Sequence, residues 1–112
     1  KTMAIIKTGT FTGSSAAQNI ELGFIPDFFM TISMTDNAVK TFVYEKNMSD
    51  ATGAYMCDGD DDIIASNGFT PYTGGDPTVS SGTTPGASKG ITIGTSAQQN
   101  AVTTHYLAIC SG

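Results

Sequence analysis

The stretch that decides the fold is QNIELGFIPDFFMTISM, residues 18–34. Two runs of period two meet in it at a Gly-Phe-Ile-Pro-Asp corner. In the first, Ile20, Leu22 and Phe24 alternate with Glu21 and Gly23. In the second, Phe28, Met30, Ile32 and Met34 alternate with Phe29, Thr31 and Ser33. A strand sends successive side chains to opposite faces, so each run reads as a strand with one greasy face and one mostly polar face. Pro26 lacks a backbone donor and Asp27 favours turns, so the ladder is interrupted between the runs. This pattern points to a layered β protein.

Working outward, residues 2–10 read as a first strand and Gly13-Ser14-Ser15 as a turn. Thr35-Asp36-Asn37 is turn chemistry joining residues 28–34 to 39–45, which predicts a β-hairpin. In that second arm Val39, Thr41 and Val43 lie on one side, and Lys40, Phe42 and Tyr44 on the other. Residues 47–53 form a loop, followed by a short apolar piece at 54–57. The acidic run 58–62 leads into Ile63-Ile64-Ala65-Ser66, and Asn67-Gly68 signals a tight turn. Residues 90–94 and 103–110 read as a final pair. Residues 96–102 are too short and too rich in Ser, Gln and Asn to stand as a helix. The expected fold is all-β: one domain over residues 1–112, an antiparallel β-sandwich of jelly-roll type. Residues 71–90 depart from it. Fifteen of those 20 residues are Gly, Ser, Thr or Pro, which predicts a long excursion with little to bury.

Composition narrows the function classes. The chain has 112 residues, five basic and ten acidic, for a net charge of −5. All five cations are lysines, and nothing resembles the clustered positive charge that nucleic acid or an anionic membrane requires. No apolar run approaches the roughly 20 residues of a membrane-spanning helix. The 27 Ser and Thr residues give a surface carried by hydroxyls, which suits strands and turns. Cys57 and Cys110 admit either one bridge or two reduced thiols, and with a single His they fall short of a four-ligand zinc set.

The one chemically suggestive cluster is Asp58-Gly59-Asp60-Asp61-Asp62. Asp58, Asp60 and Asp62 have the spacing that opens a calcium loop, making them weak metal candidates. The rest of that loop is missing, because Ile63 stands where the turn glycine belongs and Phe69 where the closing glutamate belongs. A solvated acidic turn is the simpler reading. His105 shares a strand face with Leu107 and Ile109, and no triad signature surrounds it. Glu21 and Asp27 flank the corner, where a surface strand and a turn account for them. No phosphate loop, dinucleotide fingerprint or nucleophile elbow is present. The reading is therefore no enzyme, no catalytic residues and no cofactor. Phe29, Phe42 and Tyr44, on the face read as exposed, either line a carbohydrate platform or subunit contact or lie in the second layer of a sandwich core.

Two landmarks carry a family resemblance. The first is Gly9-Thr10-Phe11-Thr12-Gly13 followed by Ile20-Glu21-Leu22-Gly23-Phe24-Ile25-Pro26-Asp27. The second is Lys89-Gly90-Ile91-Thr92-Ile93-Gly94, then Asn100 and His105-Tyr106-Leu107-Ala108-Ile109. Together they resemble a small β-sandwich domain recurrent in virion proteins of tailed bacteriophages. Ile91 stands where that family usually has an aromatic, and His105 takes part of its usual aromatic pair. The resemblance implies a structural role without catalytic residues. The expectation is a capsid decoration (cement) protein on the outer surface of the virion, homo-oligomeric there and bound to the major capsid protein or other virion subunits. A tail-fibre or receptor-binding module gripping a host glycan is the alternative. Irregular segments drape readily over a partner, so contact is expected at residues 1–6, with Lys1, Thr2 and Met3, and in the excursion, with Tyr72, Pro77, Val79 and Pro85.

Overall fold

The computed structural model describes residues 4–34, 39–56, 62–74 and 89–111. Among the described residues eight strands follow one another: β1 (Ile5–Thr12), β2 (Gln18–Glu21), β3 (Phe28–Met34), β4 (Val39–Glu45), β5 (Thr52–Met56), β6 (Asp62–Tyr72), β7 (Gly90–Ile93) and β8 (Thr103–Cys110). A single 3-10 turn, Thr95–Ala97, sits between the last two. Every pairing is antiparallel, and the strands form one hydrogen-bonded sheet in the order β1-β8-β3-β4-β5-β6-β7-β2. The all-β, antiparallel expectation therefore holds. The hydrogen bonding itself makes one continuous sheet that curls into a half-barrel.

The curl follows from distances. β3 and β6 are three strands apart, about 14 Å in a flat sheet. Yet the Phe29 and Phe69 rings meet edge to face at 5.6 Å, and Tyr44 reaches Phe69 at 6.0 Å. The sheet is also drawn together at its ends. β1 and β2 are its two edges, but they are consecutive in the chain, and Gln18 Nε2 donates to the Thr12 carbonyl at 3.0 Å.

A buried amide network makes that closure. Gln98 Oε1 accepts from Ser14 N at 2.8 Å and Gln18 Nε2 at 2.7 Å. Its Nε2 donates to the carbonyls of Ala16, Ile93 and Gly94. A buried amide is tolerated when its donors and acceptors are matched, and here one side chain ties the β1–β2 connection to the end of β7. Gly13 lies in the same corner. A Cβ there would stand 1.7 Å from the Gln99 carbonyl oxygen, so no larger residue fits without backbone movement.

The Gly-Phe-Ile-Pro-Asp corner carries the chain from β2, at one edge, to β3 near the middle. Leu22 N and Gly23 N both donate to the Lys89 carbonyl, and Gly23 takes φ +87°, which suits glycine. Pro26 is fully buried, where its missing N–H leaves no donor to satisfy. Asp27 N then donates to the Ile109 carbonyl at 2.7 Å, and the Asp27 carbonyl accepts from Lys46 N at 2.8 Å. Its carboxylate accepts from Ser111 N at 2.8 Å and Ser111 Oγ at 2.5 Å. Those bonds to Ser111, hydroxyl first, hold the Asp27 carboxyl below the usual aspartate range.

The expected hairpin of β3 and β4 forms, with Phe29 opposite Tyr44 and Met34 opposite Val39. Other expectations need correction. The two segments read as a final pair are both strands but do not pair: β7 lies between β6 and β2, and β8 between β1 and β3. Asn67-Gly68 is not a hairpin turn but part of a bulge inside β6. Against β5, Gly53 pairs with Ile64 and the adjacent Thr52 with Phe69, so residues 65–68 are thrown out of the ladder. Asn67 takes the left-handed conformation that makes this possible, and Gly68 packs against the Thr52 carbonyl. The acidic residues 58–61, Cys57 and residues 75–88 of the excursion lie outside the described residues.

The largest correction concerns which way β3 and β4 face. Phe29, Thr31 and Ser33 are buried, as are Phe42 and Tyr44, whereas Phe28, Met30 and Ile32 lie half-exposed on the outside. Aromatic volume explains the inversion. Phe29 stacks on Tyr106 at 5.5 Å and meets Phe69, and Ile91, Ile93, Leu22 and Ala97 fill the remainder of this small interior. Ser33 is accommodated by hydrogen bonds to Gln99 Oε1 and the Lys40 carbonyl.

Candidate functional site

With Phe29, Phe42 and Tyr44 inside, the aliphatic side chains of four central strands point outward. The registers align them in rows. One row runs Thr8, Leu107, Met30, Val43, Ala54, Ile63, crossing six strands without a break. On one side of it lies Thr10, His105, Ile32, Thr41, Met56, and on the other Ile6, Ile109, Phe28, Glu45. Measured along the curve of the sheet, six strands cover about 24 Å, and three rows about 14 Å along them. Ile63 is 77% exposed, Ile6 66%, Met34 60% and Met56 50%. Glu45, at a corner, is the only carboxylate in the three rows, and no lysine interrupts them.

A monomer commonly shows an apolar patch of about 300–600 Å², often functional. This frame is of that order before the side chains overhanging it are counted. Charge is held at the margin, where Lys46 Nζ lies 4.0 Å from Asp27 Oδ1. The face is a pleated surface fixed by its ladders, so it presents a preformed contact with little to order on binding.

The sequence-based candidates fall elsewhere. Asp62 is exposed, with its Oδ1 accepting from Ile63 N at 2.7 Å, and Asp58 and Asp60 lie outside the described residues. Among the described residues, no group of three His, Cys, Asp or Glu side chains is placed to hold a metal ion. His105 is exposed on the outer face between Thr10 and Ile32. Glu21 ends β2 at the opposite edge of the sheet, and Asp27 is occupied by Ser111, so the three do not converge. Cys110 is half-buried and unbridged. Phe29, Phe42 and Tyr44 are core residues and form no surface platform; burial, with the charges of Asp50 and Glu45, pushes the Tyr44 hydroxyl up. Of the expected contact residues, Tyr72 is only 2% exposed and has almost no surface to offer. Lys1, Thr2, Met3, Pro77, Val79 and Pro85 lie outside the described residues.

No family model, curated protein or solved structure matches this chain. The functional reading therefore rests on the outer face and on the corner that organises the fold. That face is what reading by alternation alone misses. The signal for it lay in the hairpin register: pairing Met34 with Val39 sets Phe29 beside Tyr44, and such a concentration of aromatic volume belongs inside.

Proposed function

We propose that this chain is a structural protein of a tailed-bacteriophage virion, a decoration protein that lays its outer sheet face on the capsid shell and reinforces contacts between capsomers. One observation carries the reading: three aligned rows of outward side chains, ten of the fifteen apolar, cross the sheet without a lysine and with a single carboxylate at their corner. Such a face is a surface for covering another protein, and its chemistry suits adhesion rather than bond-breaking. The corner residues support the resemblance on which the phage assignment rests. Leu22, Gly23, Pro26 and Asp27 each have a structural task there, as a recurrent motif would require.

In the same reading the half-barrel is a jelly-roll-like sandwich. Strands β1, β8, β3, β4 and β5, with the start of β6, form the shell-facing layer, and the end of β6, β7 and β2 form the other. The bulge at residues 65–68 of β6 acts as the fold line between them. Each copy adds contact area, and a total of about 1,200–2,000 Å² per copy suffices when repeated over a shell.

The test is to mix the chain with undecorated capsids and measure co-sedimentation and heat resistance of the shell. Saturable binding with a gain in resistance is expected. No binding and no gain would remove the proposal.

A further inference from the structure

The two edges of the sheet are unequally guarded. β2 is four residues long, its Gln18 and Asn19 are buried, and it ends in Glu21. β1 is eight residues long and pairs with β8 in unbroken register from Ile5↔Cys110 to Thr12↔Thr103. It contains no proline and no bulge, and Lys7 is its only charge. Natural sheets shorten, bend or charge an edge to prevent pairing, and a long, flat, nearly uncharged one is a template for another strand.

The polarity of that edge can be read from its ends. Gly13, continuing β1, exchanges hydrogen bonds with the β8 side, donating to Val102 O and accepting from Ala101 N. Thr12 turns its carbonyl the other way, to Gln18 Nε2. Antiparallel ladders alternate, so odd-numbered residues of β1 bond to β8, and Ile6, Thr8 and Thr10 direct their N–H and C=O groups outward. The same three residues carry the side chains that belong to the outer face.

We infer that β1 pairs antiparallel with β1 of a second copy about a two-fold axis at Thr8. In that register Thr8 exchanges two hydrogen bonds with the second copy's Thr8, and Ile6 exchanges two with the second copy's Thr10. The reciprocal pair completes a set of about six. Lys7 then lies opposite the second copy's Gly9, and Ile5 opposite its Phe11. Centring the axis on Lys7 would oppose two like charges. Centring it on Gly9 would require the Thr12 carbonyl, which Gln18 already occupies. A shift by one residue would oppose inward and outward groups, which the pleat forbids. Of the axes at Lys7, Thr8 and Gly9, the central residues of β1, only the one at Thr8 is free of these conflicts. It also keeps the pairing within β1, whereas an axis at Ile6 would carry it beyond the strand to Ala4. The row through Thr8, Leu107 and Met30 then runs unbroken across both copies.

This contact does not depend on what the outer face binds. Its area is small beside the roughly 1,200 Å² of a stable complex, so a dimer that dissociates on dilution is expected. The test is sedimentation equilibrium over a concentration series, with amide hydrogen exchange followed by NMR on the full chain and no capsids present. The chain should show a monomer–dimer equilibrium. The amides of Ile6, Thr8 and Thr10 should slow by about tenfold when nine-tenths of the chains are paired, whereas Lys7 and Gly9 stay as they are. Thr8→Pro removes an outward N–H, a change an edge strand tolerates, and should give a folded monomer. Thr8→Val should still dimerise. A chain that stays monomeric at every concentration would overturn the inference. So would outward amides already protected in the dilute monomer, which would mean that the chain covers its own edge, or a Thr8→Pro variant that dimerises unchanged.

Discussion

Phe28 and Phe29 are neighbours in sequence with opposite fates, and truncating each to alanine measures the inversion directly. Phe29 is 0% exposed, and its ring contacts Phe69 at 5.6 Å and Tyr106 at 5.5 Å. Removing a buried aromatic ring costs about 3–5 kcal/mol, which includes the cavity left behind. Phe28 is half-exposed on the outer face, paired across the sheet with Glu45 and Ile109. Full burial of a phenylalanine stabilises by about 1.5–3 kcal/mol, so half burial gives about 1–1.5. The two variants should therefore differ by at least about 1.5 kcal/mol, more than tenfold in the ratio of folded to unfolded chains. In urea, with a slope near 1–3 kcal/mol per molar, the midpoints should separate by about 1 M with little change in slope. If Phe28→Ala proves as costly as Phe29→Ala, or costlier, the assignment of inner and outer faces is wrong and the candidate face goes with it.

Gln98→Ala should destabilise by about 2–3 kcal/mol in the same assay, because Ser14 N, Gln18 Nε2 and three carbonyls lose their shared partner. Gly13→Ala should cost more than about 2 kcal/mol, since its methyl group would meet the Gln99 carbonyl. Asp27 has a folded-state pKa below its unfolded value of about 3.9, so its stabilising effect is complete above that value and lost as pH falls through the lowered folded one. Asp27→Asn should flatten the acid limb of a stability–pH profile and leave its neutral region parallel to wild type. Met30→Glu, on the half-exposed centre of the outer face, should change stability by less than about 1 kcal/mol and weaken capsid binding by at least tenfold, read by co-sedimentation.

Much of the fold is legible in the sequence because its strands are locally specified. The β3–β4 hairpin, the corner at Pro26-Asp27 and the strands at 90–94 and 103–110 all carry period-two or turn chemistry within a few residues. What local chemistry does not encode is which strands become neighbours. β7 and β8 are consecutive, yet each finds its partners elsewhere, through closure of the β1–β2 connection by Gln98, some 80 positions away. The Asn67-Gly68 signal was real in conformational terms, since Asn67 is left-handed, but tertiary pairing with β5 and β7 made it a bulge. The candidate face was hidden for a related reason. Hydrophobic alternation marks two sides without saying which is inside, and in β3 both sides are partly apolar. Volume decided it, because rings from β3, β4, β6 and β8 meet in one small interior.

Methionine oxidation on the assembled particle, followed by mass spectrometry, tests the central claim most directly, because the chain carries its own probes. Met30 and Met34 lie on the outer face of β3 and Met56 on that of β5, whereas Met48 packs against the core from the β4–β5 connection. Bound to capsids, the chain should show Met30, Met34 and Met56 protected relative to the free chain and Met48 unchanged. Equal oxidation of the three outer methionines in the free and capsid-bound chain would contradict the account.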